Sequence, residues 1–180
     1  MSALKISLGS SKNKLLVPLI NDMPLHSLIN PAKEAESLAN NYIAQISKNP
    51  LVIVLGLGFG YHLDEIYKIM SLAHENFSIF VIEGITEISR MAQSHKTFPS
   101  EIKIITNNQV SNIFKHGELL EALAKKPTVI IHPTSFKMNE QFYRDFLTYK
   151  YSENFKQDII EHFNLPSKNL TFLFNQIGHQ

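Results

Sequence analysis

Along this chain, short runs of consecutive apolar residues alternate with stretches whose apolar positions recur every three or four residues. Leu51-Val-Ile-Val-Leu55 is an unbroken apolar run of the kind that needs cover on both faces, which predicts a buried, central strand. Residues 77–82, 102–105 and 128–131 are three further runs of strand type. Between them, Leu63, Ile66, Tyr67 and Met70, then Ile88, Met91 and Ala92, mark helical faces. A helical stretch from 110 to 126 is broken by Gly117, and a long amphipathic one from 139 to 163 has Phe142, Phe146, Tyr149, Ile159 and Phe163 inside. Strand and helix alternate throughout, which predicts an α/β, Rossmann-like fold: a mostly parallel sheet with helices on both faces. The central strand is expected between the strand ending near Glu83 and one ending near Asn107 or His132.

Ahead of this core, apolar residues 4–8 and 15–20 flank the polar turn 9–14, the pattern of an N-terminal β-hairpin. Pro18 has no amide hydrogen for a ladder and predicts that the second strand lies at an edge. Asn30, Pro31 and Glu34 form the start of a helix, as N-cap, first helical residue and first-turn acid. Ala35, Leu38, Ala39, Tyr42 and Ile46 are its inner face, and Pro50 stops it. The expected organisation is a hairpin over 1–23, a Rossmann-like domain over 24–165, and a tail or the start of a following domain over 166–180.

Composition narrows the classes of function. The 180 residues are 44% apolar and contain no cysteine, so the chain can build a core but no disulfide scaffold. Seventeen basic against 16 acidic residues leave a net charge of +1, too little for a field that attracts nucleic acid. No apolar run approaches the ~20 residues of a membrane span, and a cytoplasmic protein is the expectation.

The candidate chemistry starts where the central strand ends. Gly56, Gly58 and Gly60 give G-x-G-x-G, with Tyr61 where a nicotinamide-dinucleotide fingerprint has its third glycine. The form is closer to the first motif of S-adenosylmethionine-dependent methyltransferases and of spermidine synthases, although Val54 stands where many methyltransferases carry an acid. A strand–glycine turn–helix junction can aim backbone N–H groups at an anion; it can equally serve only to pack strand against helix tightly. Glu83, 23 residues past Gly60, has the spacing of an acid that accepts ribose hydroxyls. His132 follows the fourth strand, and Asn107 and Asn108 the third, so all fall at carboxyl ends, where such sheets bind ligands. Polar residues also begin there simply because strands stop. The candidate ligand-binding set is Gly56, Gly58, Gly60, Tyr61, Glu83 and His132, for a nucleotide, nucleotide-sugar or S-adenosylmethionine. His26 and Ser27 are a polar pair after Leu25 that reads either as a site or as a local turn. The histidines show no His-x-x-x-His spacing and no Gly-x-Ser-x-Gly elbow exists, so the sequence assigns neither metal ligands nor catalytic residues.

Taken together, Leu25-His-Ser27, Asn30-Pro31 with Glu34-Ala35, Val54-Leu-Gly-Leu-Gly-Phe-Gly-Tyr-His62 and Val81-Ile-Glu83 resemble a known family. They are similar to the N-terminal Rossmann-like domain of the motility accessory factors, bacterial flagellin glycosyltransferases of the domain-of-unknown-function 115 group. Members typically read Leu-His-Ser, Glu-Ala and Gly-Leu-Gly-x-Gly-Tyr-His; here Leu28-Ile29-Asn30 replaces their more usual aromatic and acid. The resemblance implies a role in transferring a nonulosonic acid from a CMP-activated donor to Ser or Thr of flagellin. It also implies that the sugar-transferring domain follows the part seen here, so this chain is expected to act with a glycosyltransferase domain or subunit and to transfer nothing alone. Two enzyme readings stand beside it. A methyltransferase or aminopropyltransferase would want Asn/Asp-Pro-Pro-Tyr where His132-Pro-Thr-Ser135 stands, and a 6-hydroxymethylpterin pyrophosphokinase would want Mg²⁺-binding carboxylates such as Asp64 and Glu65.

Overall fold

The computed structural model describes residues 4–150. Strands β1 (Ile6–Ser10), β2 (Leu16–Ile20) and β3 (Met23–Pro24) form a small antiparallel sheet in that order. Helices α1 (Pro31–Asn40) and α2 (Ile43–Ile46) lead to β4 (Leu51–Leu55). Then α3 (Tyr61–Ala73), β5 (Ser78–Glu83), α4 (Thr86–His95), β6 (Ile102–Thr106), α5 (Val110–Ile113), α6 (Gly117–Ala124), β7 (Thr128–Ile131), α7 (Pro133–Met138) and α8 (Glu140–Leu147) follow. The second sheet is wholly parallel, in the order β6-β5-β4-β7. The fold is therefore α/β and Rossmann-like, as the alternation predicts.

β4 is central, between β5 and β7. Its side chains alternate between two cores, as the two-residue period of a strand requires. Ile53 and Leu55, with Phe80 and Ile82, pack under Phe114, which follows α5, and under Leu119 from α6 and Phe142 and Tyr143 from α8. Val52 and Val54, with Ile79 and Val81, pack under Ala39, Leu63, Ile66 and Met70 from α1 and α3 and Ala92 from α4. From β4 the chain steps outward to β5 and β6, then returns to lay β7 on the other side of β4. Strand order thus reverses between β4 and β7, and the crevice at their carboxyl ends is the switch point of this sheet.

Three local readings change. β2 is the middle strand of its sheet, not an edge, despite Pro18. The bonds Asn21 N–H to Lys5 O and Ser11 N–H to Leu15 O fix the alternation, so Pro18, opposite Leu8, falls at a non-hydrogen-bonded pair with β1. Toward β3 it only has to accept, from the Leu25 amide at 2.9 Å, and β3 ends at Pro24. The hairpin turn is shorter than the polar run, because Gly9 and Ser10 pair with Val17 and Leu16, and Ser11 bonds across it to Leu15. The expected single helix through Ile46 is two, α1 and α2, with Ala35, Ala39 and Ile46 buried as its inner face requires. Asn30 caps α1, its side chain accepting from the Lys33 amide at 3.1 Å. In the amphipathic stretch after 139, Phe142 and Phe146 are buried on α8, whereas Ile159, Phe163 and the expected tail lie outside the described residues. No helix among the described residues is long and apolar enough to cross a membrane.

Candidate functional site

All three glycines of the loop after β4 have positive φ: 101° at Gly56, 50° at Gly58 and 74° at Gly60. At Gly56 and Gly58 the reason goes beyond backbone freedom. A Cβ on Gly58 would lie 2.4 Å from His26 Nε2, and one on Gly56 would lie 2.3 Å from Ser135 Cβ. The close approach that glycine permits here is made by the chain's own side chains. Four of the loop's amides are likewise engaged within the protein. Gly56 N–H donates to Ile82 O, Leu57 N–H to Glu83 Oε2 at 2.9 Å, Phe59 N–H to His26 Nε2 at 2.9 Å, and Gly60 N–H to Leu57 O.

Glu83 stands at the end of β5, where its spacing places it, but it faces inward and is 2% exposed. One carboxylate oxygen takes the Leu57 amide, the other the Ile85 amide at 2.9 Å, and the Tyr143 hydroxyl donates to the latter at 3.5 Å. Burial pushes its pKa up to about 6, although the amide bonds pull the other way. Burial, with the Glu83 charge second, holds the Tyr143 hydroxyl well above its ordinary value. Tyr61 opens α3, and its hydroxyl donates to Leu16 O on β2 at 2.7 Å, tying the small sheet to the parallel one. Asp64 and Glu65 are ion-paired with Lys96 and Lys68, so neither acid is left as an uncompensated charge for a cation. Asn107 accepts from the Gln109 amide in its own turn after β6, two strands away from the crevice. Ser27 is also a local turn-former, its hydroxyl accepting from the Ile29 and Asn30 amides.

The crevice itself gathers three histidines. His26 comes from the loop after β3, His62 from the first turn of α3, and His132 from the end of β7; they are 4%, 1% and 3% exposed. The rings of His62 and His132 stack at 4.5 Å with 9° between planes, and His26 lies 4.8 Å from His132. Each has a defined anchor. The His26 Nε2 lone pair accepts the Phe59 amide, which leaves its Nδ1–H toward Glu34 Oε2 at 3.7 Å. His62 Nε2–H donates to Gly56 O at 3.0 Å. His132 Nδ1 caps α7 by accepting the Ser135 amide at 3.4 Å and also pairs with Ser135 Oγ at 2.7 Å. His62 Nδ1 is buried with no hydrogen-bond partner. Burial first, and the neighbouring rings second, depress His62 to about 3 and move His132 well down, so both are neutral imidazoles at physiological pH. The cluster lines a cavity of about 200 Å³ together with Glu34, Leu38 and Asn41. A larger depression, about 640 Å³, lies at the opposite, amino ends of β4 and β5 near Leu51, Ser78 and Glu101; ligands of parallel sheets bind at the carboxyl ends, so the smaller cavity is the candidate site.

Of the residues expected at a site, Gly56, Gly58, Glu83 and His132 do converge, with His26 and His62, in one buried hydrogen-bonded unit; Tyr61 borders it edge-on to His26 at 5.1 Å. Gly60 packs toward Phe98 instead. The histidine cluster has no metal-ligand spacing, since each ring comes from a different segment; the signals in the sequence are that His26 and His62 lie in segments that carry the resemblance and that His132 follows a strand end. Fold and site together define a Rossmann-like α/β domain with an internally plugged glycine loop and a buried histidine cluster at its switch point. No family model matches this chain, and no curated protein does. Among solved structures, the chain is similar to the crystal structure of MnmC2 from Aquifex aeolicus, at 10% identity and a TM-score of 0.43, over 96% of this chain and 84% of that one.

Proposed function

We propose that this chain is a noncatalytic, Rossmann-like module of the motility accessory factor type, serving flagellin glycosylation with nonulosonic acids. The observation that supports this reading is the wiring of the resembling segments. Residues separated by up to 57 positions, from His26 to Glu83, meet at the glycine loop: His26 on the Phe59 amide, His62 on the Gly56 carbonyl and Glu83 on the Leu57 amide. Glu34 adds the Ser27 amide at 2.8 Å. A shared set of residues that builds one unit is what a family resemblance carried by scattered short motifs requires.

The noncatalytic part rests on how the loop's groups are used. Glu83, the Gly56 and Gly60 amides and Ser135 are occupied with holding the fold, and among the described residues of the loop no base, charge stabiliser and nucleophile stand in a mutual geometry matched to sugar transfer. The module's work is then to hold or present a partner, a sugar-transferring domain or flagellin, with a nucleotide or nucleotide-sugar as the small ligand to test. Deleting the gene and measuring the intact mass of flagellin tests the assignment: the nonulosonic acid increments are expected to disappear, and an unchanged mass would sink it. Incubating the purified chain with a CMP-linked nonulosonic acid and flagellin is expected to give no transfer; turnover lost in a folded His132→Ala variant would replace the module by an enzyme.

A further inference from the structure

We propose that His26, His62 and His132 form a binding site for one divalent transition-metal ion of the zinc type. This inference stands on the cluster alone and does not depend on the functional reading. One ring nitrogen from each residue lies within 4.8 Å of those of the other two, and all three side chains line the same cavity. A tetrahedral ion with metal–nitrogen bonds of about 2.0 Å needs ligand atoms about 3.3 Å apart. The rings therefore have to close by at most roughly 1.5 Å on this geometry, a movement that small torsional changes about Cα–Cβ supply.

The second observation is His62 Nδ1, a buried acceptor without a hydrogen-bond donor. Leaving such an atom unsatisfied costs free energy, and its chemistry calls for a proton donor or a Lewis acid. Its ring is already oriented as a ligand should be, because the Gly56 carbonyl fixes the proton on Nε2 and leaves the Nδ1 lone pair free. His132 Nδ1 accepts the Ser135 amide at 3.4 Å, which puts its ring proton on Nε2; to ligate through Nε2 the ring must move that proton to Nδ1, where it would donate to Ser135 Oγ, 2.7 Å away, so a tautomer change at His132 accompanies binding. Three imidazole ligands in one set suit zinc, cobalt, nickel or copper better than magnesium or calcium.

His26 makes the site conditional. With Nε2 accepting from Phe59, its ring proton sits on Nδ1, the nitrogen directed toward Glu34. To coordinate through Nδ1, the ring must lose that proton and take one up on Nε2, with no net change in charge. The Phe59 amide then loses its acceptor. Metal binding and the His26–Phe59 bond compete for one ring, so the ion is coupled to the glycine loop. A single hydrogen bond is worth little against a metal–nitrogen bond, and the competition favours the ion once it is supplied.

The test uses the full chain, treated with chelator and titrated with Co²⁺ and Zn²⁺. We expect one equivalent of Co²⁺ to produce the visible bands of a four- or five-coordinate nitrogen site, and Zn²⁺ to displace it and raise Tm. In ¹⁵N spectra the Phe59 amide should shift on saturation, and His26 Nε2 should change from an acceptor to a protonated nitrogen. His62→Ala and His132→Ala should each weaken Co²⁺ binding by more than the roughly 100-fold ceiling for outer-shell partners, while His116→Ala, on the surface, changes nothing. Two variants are used because either alone could lose its fold, which circular dichroism reports, and the spectra of the unsubstituted chain need neither. Absence of saturable uptake, bands that persist in both folded variants, or a Phe59 amide unmoved at saturation would overturn the site and leave a trapped water as the partner of His62.

Discussion

Glu83 is a carboxylate turned from the role its position implies. Both of its oxygens accept backbone amides, one from each side of the β4–β5 junction, and an amide side chain cannot reproduce that pattern. Glu83→Gln would set an NH₂ against either the Leu57 or the Ile85 N–H, and we expect it to cost about 1–3 kcal/mol in denaturant unfolding. Its titration makes a separate prediction. The folded pKa, about 6, lies above the ordinary 4.5, so between these values the native state holds more protons than the unfolded chain. The contribution of this group is therefore fully present below about pH 4.5 and is lost as pH rises through about 6, amounting to roughly 2 kcal/mol for a shift of this size. Urea melts across pH 4.5 to 7 should show that slope, and Glu83→Gln should flatten it. The position of Glu83 was legible in the sequence; its direction was not, because spacing from the glycines fixes where a residue sits along a strand end and says nothing about whether water or backbone lies opposite.

At the scale of elements, the start of α1 shows how much local chemistry specifies. Asn30, Pro31 and Glu34 were readable as cap, first residue and first-turn acid, and the Asn30 side chain does accept from the Lys33 amide. Asn30→Ala should lower stability by about 1 kcal/mol, measured by thermal or urea melts. Glu34 does more than complement the helix dipole, since it accepts the Ser27 amide and faces His26, and so holds the loop that delivers that ring. The strands were equally legible, because β4 needs apolar neighbours on both faces and its sequence has no polar position to expose. What local pattern missed was the place of β2. A proline rules out an amide donor, not a middle position, and only the register with β1 and β3 shows that Pro18 faces a side where no donor is needed.

For the whole molecule, the sheet order sets a hierarchy of opening. β4 and β5 are paired on both sides, β6 and β7 on one, and Val129 on β7 is 38% exposed. Native-state hydrogen exchange should find the amides of Val52 to Val54 and Phe80 to Val81 exchanging only with global unfolding, and those of β6 and β7 exchanging through lower-energy openings. The sequence left open whether β4's second neighbour ends near Asn107 or His132, and it is β7, ending at His132, whose place beside β4 reverses the strand order. The meeting of three histidines there was not legible, because it depends on a ring from the loop after β3 reaching across to the glycines. That ring fits like a plug in a socket: the imidazole of His26 occupies the space where a Gly58 Cβ would be and caps the Phe59 amide. A socket shaped by one ring should accept the same ring supplied from solution. Cutting His26 back to glycine should cost roughly 2–5 kcal/mol, and free imidazole at millimolar concentration should restore part of the lost Tm while 1-methylimidazole, with a methyl group to accommodate, restores less. The glycine loop would then become a receptor for a small heterocycle, with the protein's own melting curve as the binding signal.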